Sequence, residues 1–414
     1  MTRAAHLRST LTGIEYPFDR LEEFADNGES LEVCMPGIGT ARAKPGAGSG
    51  PGPHARPGAR VWERFAEFMP FEGTHPELSL GEGSTPLVDA GPLLKAFTGI
   101  ENLLLKNETM NPTWSFKDRG SIACSIMASE RKESVTATIS TGNMGQSMAA
   151  YGARAGLRVI VFLPDFAPRE KILAMAVHGA TVVKVGGADY ADMKTTVLGL
   201  ASRLGLRIVS GNGPIRVEGY KMEAFELFEQ LGGDVPDFIV VPTSACGHVR
   251  GIFKGYRELL SAGLVSRLPR MAVVQAEANS PVVSAIKKGS KEIVPFRNFT
   301  TIAEALTSGR PPGGEEIVAK ALEFGWPAAG ATEAEILESQ LAYAKAGFFV
   351  EPGSAVTLAA LRSLRLSGEI KRGDRVVVVL TGSGMKDIDV VQRHVMNIID
   401  CGLGDLESKV ENLL

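Results

Sequence analysis

One lysine in this chain has a setting suited to covalent chemistry, within the run Asn111-Pro112-Thr113-Trp114-Ser115-Phe116-Lys117-Asp118-Arg119-Gly120. Upstream, Asn102 to Lys106 is apolar enough for a strand and Pro112 turns the chain. Ser115 is positioned to cap a helix that carries Ile122, Ile126 and Met127 on one face. Lys117 then falls in the first helical turn, against the positive end of the macrodipole, which disfavours its protonated form. A free amine so placed can condense with an aldehyde. The competing reading is a solvated helix lysine paired with Asp118, so the case rests on the company that Lys117 keeps.

Six segments in one order supply that company. The lysine run resembles the cofactor-lysine motif of threonine synthases, within the tryptophan synthase β (fold type II) family of pyridoxal 5'-phosphate (PLP) enzymes. Ser79-Leu80-Gly81-Glu82-Gly83-Ser84-Thr85-Pro86-Leu87 resembles that family's first strand segment, and Ser140-Thr141-Gly142-Asn143 its loop under the cofactor ring. Pro214-Ile215-Arg216-Val217-Glu218-Gly219, Glu351-Pro352-Gly353-Ser354-Ala355 and Leu380-Thr381-Gly382-Ser383-Gly384-Met385-Lys386-Asp387 follow. The resemblance covers roughly residues 62 to 395, and six ordered segments are far more specific than one short motif.

The resemblance implies roles residue by residue. Lys117 holds PLP and moves protons, Asn143 bonds the cofactor's 3' oxygen, and Thr381, at the end of the apolar run Val376 to Leu380, faces the pyridine nitrogen. A hydroxyl there cannot hold a full positive charge as a carboxylate would, which favours eliminations and replacements over transamination. Glu351 lies near the cofactor edge. The phosphate needs backbone donors at a helix start, and Thr243-Ser244-Ala245-Cys246-Gly247-His248 sits between a strand and a helix as that requires. This loop keeps only Gly247 of the family's several glycines and has His248 where asparagine is common. Thr85, Ser140, Thr141, Ser210 and Arg216 are expected around the substrate.

The elements that must position these residues alternate from residue 135 onward. Val135 to Ile139, Arg158 to Leu163, Thr181 to Val185 and Arg207 to Val209 read as strands, with helices at Gly145 to Ala155, Pro168 to His178 and Tyr190 to Leu204. Strands resume at Phe238 to Val241, Met271 to Gln275, Phe348 to Val350 and Arg375 to Leu380, separated by helices at Val249 to Ala262, Thr332 to Ala346 and Ser354 to Leu366. Thr332-Glu333-Ala334-Glu335 matches a capping box. The fold class expected is α/β: two open α/β/α domains with mainly parallel sheets, the cofactor in the cleft between them. Residues 61–117 with 206–398 form the larger domain, 118–205 the smaller, and 399–414 a tail. Residues 1–60 are an N-terminal extension in which Leu11 to Val33 forms a short docking element. Residues 36–60, rich in Gly, Pro and Ala, read as a disordered linker; the alternative is a basic segment that folds over an anionic substrate.

Composition excludes little else. The chain has 414 residues, 44% hydrophobic, and a net charge of −3, so nothing points to nucleic acid or a membrane surface. Cys34, Cys124, Cys246 and Cys401 are too few and scattered for a disulfide framework or a zinc knuckle, which suits a reducing cytoplasm. The histidines show no metal spacing. Gly382-Ser383-Gly384 would make a dinucleotide loop only with Asp387 at the third glycine position, where a carboxylate repels pyrophosphate.

The expected function is a PLP-dependent lyase acting on a small phosphorylated amino acid, O-phospho-L-homoserine converted to L-threonine, in a homodimer. Three departures bear on the substrate. Ser210-Gly211 and Asn212-Gly213 stand where threonine synthases commonly carry Asn-Ser, Trp114 replaces the usual glycine, and Met144 follows Asn143. A phosphate subsite could be rebuilt from Arg216, Ser210 and Asn212. The alternatives are β-elimination or β-replacement on serine, threonine or O-phosphoserine, and a catalytically silent PLP-binding paralogue.

Overall fold

An aliphatic run without internal charge forms a strand only if both of its faces are covered. Arg375–Leu380 is such a run, and every residue from Val376 to Leu380 is fully buried. A computed structural model of the chain describes residues 5–38 and 58–413, except 22, 188, 189 and 298, and sets this strand inside the largest of three sheets. In chain order the strands are β1 (His6–Ser9), β2 (Glu15–Pro17), β3 (Leu31–Cys34), β4 (Leu87–Asp89), β5 (Asn102–Asn107) and β6 (Val135–Ile139). They continue with β7 (Arg158–Pro164), β8 (Thr181–Val185), β9 (Phe238–Pro242), β10 (Arg270–Ala276), β11 (Ala328–Ala331) and β12 (Arg375–Leu380).

The large sheet has the order β11-β10-β9-β12-β5-β4 and is parallel except for β4, which runs antiparallel to β5. Its two faces follow the period of two along each strand. Ile239, Val241, Val377 and Val379 pack with the helices Lys117–Glu130, Pro214–Gln230 and Gly247–Ser261; Val240, Val376, Val378 and Leu380 pack with Glu333–Lys345 and Pro352–Leu366. The sheet β6-β7-β8 is parallel, with Asn143–Arg154 and Arg169–Ala176 on one face and Tyr190–Leu204 on the other. This is the expected α/β class with mainly parallel sheets.

Several elements differ from the expectation. Arg207 to Val209 makes one parallel bridge, Ala137 to Ile208, and Phe348 to Val350 one antiparallel bridge, Val350 to Ser383. The first stretch cannot continue as a strand because the next amide, Ser210 N, bonds the Glu23 carboxylate at 2.9 Å. β4 is a three-residue edge, and β11 is Ala-Ala-Gly-Ala, without the β-branched residues that mark a strand. Helix Pro214–Gln230 lacks an amphipathic pattern because Glu218, Lys221, Glu223 and Glu226 are all buried with the apolar residues. Lys221 and Lys254 both bond Glu218, and His248 Nε2 lies 2.7 Å from Glu223.

The N-terminal docking element is an antiparallel sheet, β2-β1-β3, and its partners include the loop before Pro214 and the helix Gly247–Ser261. Asn212 Nδ2 donates to Ser30 Oγ (2.9 Å) and Arg250 Nη2 to the Leu31 carbonyl (2.8 Å). Most of the expected linker, 39–57, lies outside the described residues.

Four buried charges fix the lysine helix. Arg119, two residues beyond Lys117, donates through Nε and Nη2 to Glu108 (2.6 and 2.7 Å) and through Nη1 and Nη2 to Glu226 (2.9 and 2.7 Å). Lys106 Nζ also bonds Glu226 at 2.8 Å. Two cations balance two carboxylates, and Arg119 with Lys106 holds Glu226 well below the usual carboxylate range against the opposing effect of burial. Removing one partner would leave a buried charge uncompensated. Arg119→Met should therefore lose about 3–5 kcal/mol of stability in urea titrations at pH 7. Because Glu226's folded pKa is depressed, its contribution in the wild type is complete above ~4.3, the unfolded value, and is lost as pH falls below it. Urea midpoints between pH 7 and 3 should show that loss.

Candidate active site

Three loops leave the carboxyl ends of the adjacent strands β9, β12 and β5, where open α/β sheets present ligand sites. The lysine segment is zipped to the loop after β12: Phe116 N donates to the Thr381 carbonyl and Ser383 N to the Trp114 carbonyl, each at 3.0 Å. Trp114 takes φ 63° and is 49% exposed, so its ring is not core packing. Ser115 does not cap the helix. Phe116 occupies the cap position with helical dihedrals, and Ser115 Oγ is buried with no hydrogen-bond partner. Asp118 does not pair with Lys117; it accepts from Thr113 and Ser147.

Lys117 is the first residue of its helix, with Nζ 4.3 Å from the Phe116 ring centroid and 5.9 Å from that of Tyr220. Burial, followed by the neighbouring Arg216 charge, pulls its pKa down to about 7, with Glu351 opposing. Desolvation and a like charge are thus the main causes of the depression expected from the helix dipole. Across the cleft, Asn143 Nδ2 donates to Glu351 Oε2 at 2.8 Å, and burial raises the Glu351 pKa. Thr381 Oγ1 lies 2.8 Å from Ser354 Oγ and donates to Glu351 Oε1 at 3.4 Å. A Cβ on Gly382 would stand 2.5 Å from that carboxyl, so only glycine lets Glu351 approach.

The loop after β9 leads into the fifteen-residue helix Gly247–Ser261, whose first N–H groups have no acceptor within the helix. Ser244 and Ala245 are half-buried. Cys246 takes φ 73° and is buried, which pushes its thiol pKa up, so it packs rather than reacts. His248 stacks on Phe116 at 3.8 Å with Nε2 engaged by Glu223, so this loop offers backbone donors rather than the imidazole tip.

The expected substrate residues divide into two groups. Thr85 Oγ1 donates to Glu108 (2.6 Å) and accepts from Arg119 (3.1 Å), which leaves no hydrogen for a ligand. Ser140 Oγ accepts from Gly142 N (3.3 Å) and Gly145 N (3.0 Å), shaping the turn that carries Thr141 and Asn143. Asn212 is held on both sides, by Ser30 and by Arg250 Nη1 at 2.8 Å, and is not free to rebuild a phosphate subsite. Ser210 engages Glu23 through both its amide and its hydroxyl, and its Oγ accepts from Asn212 N (3.1 Å), so it faces the N-terminal segment. Arg216 is fully buried, with Nε on the Ser210 carbonyl (3.1 Å) and Nη1 on Ser121 Oγ (3.3 Å). Among the described residues no carboxylate lies within ion-pairing distance of it, and Nη2 completes no well-formed hydrogen bond, with the Tyr220 hydroxyl as the neighbouring polar group.

Sequence reading missed Ser354, Lys386 and Tyr220. Lys386 reaches across to Gln146 and is pulled down to about 8 by burial. Ser354 and Lys386 both lie in segments that carry the family resemblance, but only a contact between residues 27 apart reveals the link of Ser354 to Thr381.

An amine of lowered pKa, free N–H groups at a helix start and a buried hydroxyl pair form a donor set that fits PLP. Residues 78–382 match the family described as pyridoxal-phosphate dependent enzyme, and the chain belongs to it. More particularly, the chain is similar to the threonine synthase of Methanocaldococcus jannaschii, 39% identical over 335 residues that span 80% of this chain and 82% of that one. It is 37% identical to the threonine synthase of Methanosarcina acetivorans (80% and 81% covered) and 33% identical to that of Mycobacterium leprae (83% and 93%). Among solved structures it resembles a pyridoxal 5'-phosphate-dependent aspartate racemase, with TM-score 0.64 and 26% identity over 75% of this chain and 93% of that one. The threonine deaminase isoform 2 of Solanum lycopersicum shares the fold, with TM-score 0.63, 20% identity and coverage of 91% and 94%.

With a pKa of about 7, Lys117 should be half neutral at pH 7, against roughly 3 parts in ten thousand for an ordinary lysine. Capture of PLP by apoenzyme should accordingly speed up with pH through about 7 and level off by about 8, as stopped-flow absorbance would read. Borohydride reduction should fix the cofactor on Lys117 in a peptide map, and Lys117→Ala should take up none covalently. Thr381→Ala and Ser354→Ala should each lower turnover by about 1–3 kcal/mol of barrier; wild-type rates in both would separate this hydroxyl pair from the chemistry.

Proposed function

We propose that the protein is a threonine synthase, converting O-phospho-L-homoserine and water into L-threonine and inorganic phosphate. The observation that carries this reading is Arg216: a fully buried guanidinium near Lys117 whose Nη2 completes no well-formed hydrogen bond and which has no carboxylate partner among the described residues. Kinship with threonine synthases supports it. PLP, when bound, supplies an electron sink that acidifies protons on the carbon skeleton of the attached amino acid. Lys117 holds the cofactor and, through its lowered pKa, serves as the base at the substrate Cα near neutral pH, then carries a proton to and from Cβ. The Gly247 helix start, with Ser244 and Ala245, would hold the cofactor phosphate through its unpaired N–H groups. Asn143 and Glu351, bonded to one another, would stand at the edge of the ring, and the Thr381–Ser354 hydroxyl pair would serve its nitrogen. Arg216 neutralises the phosphate that departs from Cγ, since its planar fork can hold two oxygens.

Residues 61–117 with 206–398 are read as the cofactor-holding domain and 118–205 as the smaller one. A homodimer is supported by exposed apolar residues near the C-terminus, Val395, Ile398, Ile399 and Leu403. A reducing cytoplasm is supported by four free cysteines, and no helix among the described residues is long and apolar enough to cross a membrane.

Holoenzyme given O-phosphohomoserine and O-phosphoserine in parallel should release threonine and phosphate from the first only. Arg216→Ala should lower kcat/KM for it by about 100-fold or more while PLP affinity stays within a few-fold, and Arg216→Lys should rescue poorly. Release of 2-oxobutanoate from threonine, with no use of a phosphorylated precursor, would establish the dehydratase reading, which the engagement of Asn212 elsewhere favours.

A further inference from the structure

Arg216 is not the only unpartnered donor on its helix. Tyr220, one turn further along, is fully buried, and its hydroxyl, like Arg216 Nη2, finds no hydrogen-bond partner. The hydroxyl lies beside the Arg216 guanidinium, and neither group completes a well-formed hydrogen bond, so two buried donors stand side by side as an anion with several oxygens would need them. The ring is fixed: its centroid lies 5.1 Å from Phe116 and 5.5 Å from His248. Its two carbons beside Cζ face opposite ways. A Cβ on Gly120 would stand 2.8 Å from Cε1, and one on Gly247 3.3 Å from Cε2. The hydroxyl between them therefore points between the first turns of the lysine helix and of the Gly247–Ser261 helix, both electropositive. The ring also faces Lys117 Nζ at 5.9 Å.

We propose that Tyr220 is a specificity-determining residue whose hydroxyl donates, together with Arg216 Nη2, to the phosphate group of the substrate. This rests on the threonine synthase reading and supplies a second donor where Asn212 is engaged elsewhere. The pair selects a phosphate monoester over a free hydroxyl, because only an anion with several oxygens engages the fork and the phenol at once.

Tyr220→Phe isolates the hydroxyl, since the ring and its packing remain and the one protein group beside the hydroxyl is Arg216, its proposed partner on the phosphate. Three measurements on wild type and variant test the inference: calorimetric titration of holoenzyme with inorganic phosphate, titration of apoenzyme with PLP, and steady-state kinetics with O-phosphohomoserine. The variant should bind inorganic phosphate about 10- to 100-fold more weakly, with a matching rise in KM, a kcat changed much less and unaltered PLP affinity. Equal phosphate affinity in both proteins overturns the inference. So does weakened PLP affinity with unchanged phosphate binding, which would assign the hydroxyl to the cofactor's phosphate. Wild-type holoenzyme that makes threonine yet binds no phosphate overturns it and leaves the function standing; Tyr220-dependent phosphate binding without threonine formation keeps the inference and rejects the function.

Discussion

Arg119 is the constraint on which the site depends. Its guanidinium joins Glu108, just beyond β5, to Glu226 in the helix Pro214–Gln230, and so reinforces the ion pair by which Lys106 of β5 already holds Glu226. Lys117 is two residues from this clamp. A helix start fixed by four charge-assisted hydrogen bonds cannot rotate, so the direction of the lysine stem and the approach of Arg216 and Tyr220 from the facing helix are set together. Gly219 makes this closeness possible: a Cβ there would stand 2.1 Å from the Arg119 carbonyl.

The clamp and the site work by opposite electrostatics. In the clamp every charge is answered, and Glu108 and Glu226 both titrate low. A few ångströms of chain away, Lys117 faces aromatic rings and a neighbouring cation, and its pKa falls instead. Burial alone does not decide reactivity; pairing does. Asp118 lies between the two regimes, pushed up to about 6 by burial although Ser147 and Thr113 donate to it.

The layout of the site was legible in the sequence because it depends on local signals. Apolar β-branched runs marked β9 and β12, the turns after them fell at strand ends, and the capping box at Thr332 with Glu335 is present with both of its hydrogen bonds. What stayed hidden depends on contacts distant in sequence. Thr85 is a ligand candidate by motif and a partner of Glu108 and Arg119 by geometry. Asn212 is polar and well placed, yet Ser30 and Arg250 hold it from elements that no local pattern connects. The helix Pro214–Gln230 gave no periodic signal because its interior face is charged, and only the partners, Lys106, Lys221 and Lys254 among them, explain how it is buried.

The contact between Glu23 and the loop at Ser210 has a consequence for how this chain can vary. A Cβ on Gly213 would stand 1.9 Å from Glu23 Oε2, and the Ser210 amide is bonded to that same oxygen. Residue 23 lies before the region 78–382 that matches the family, yet its carboxylate fills the space that a side chain at position 213 inside it would need. The two positions are therefore coupled: exchange of the first 35 residues for a segment without a carboxylate at position 23 would remove the acceptor that holds the Ser210 amide, nearly two hundred residues downstream, and free the space over Gly213.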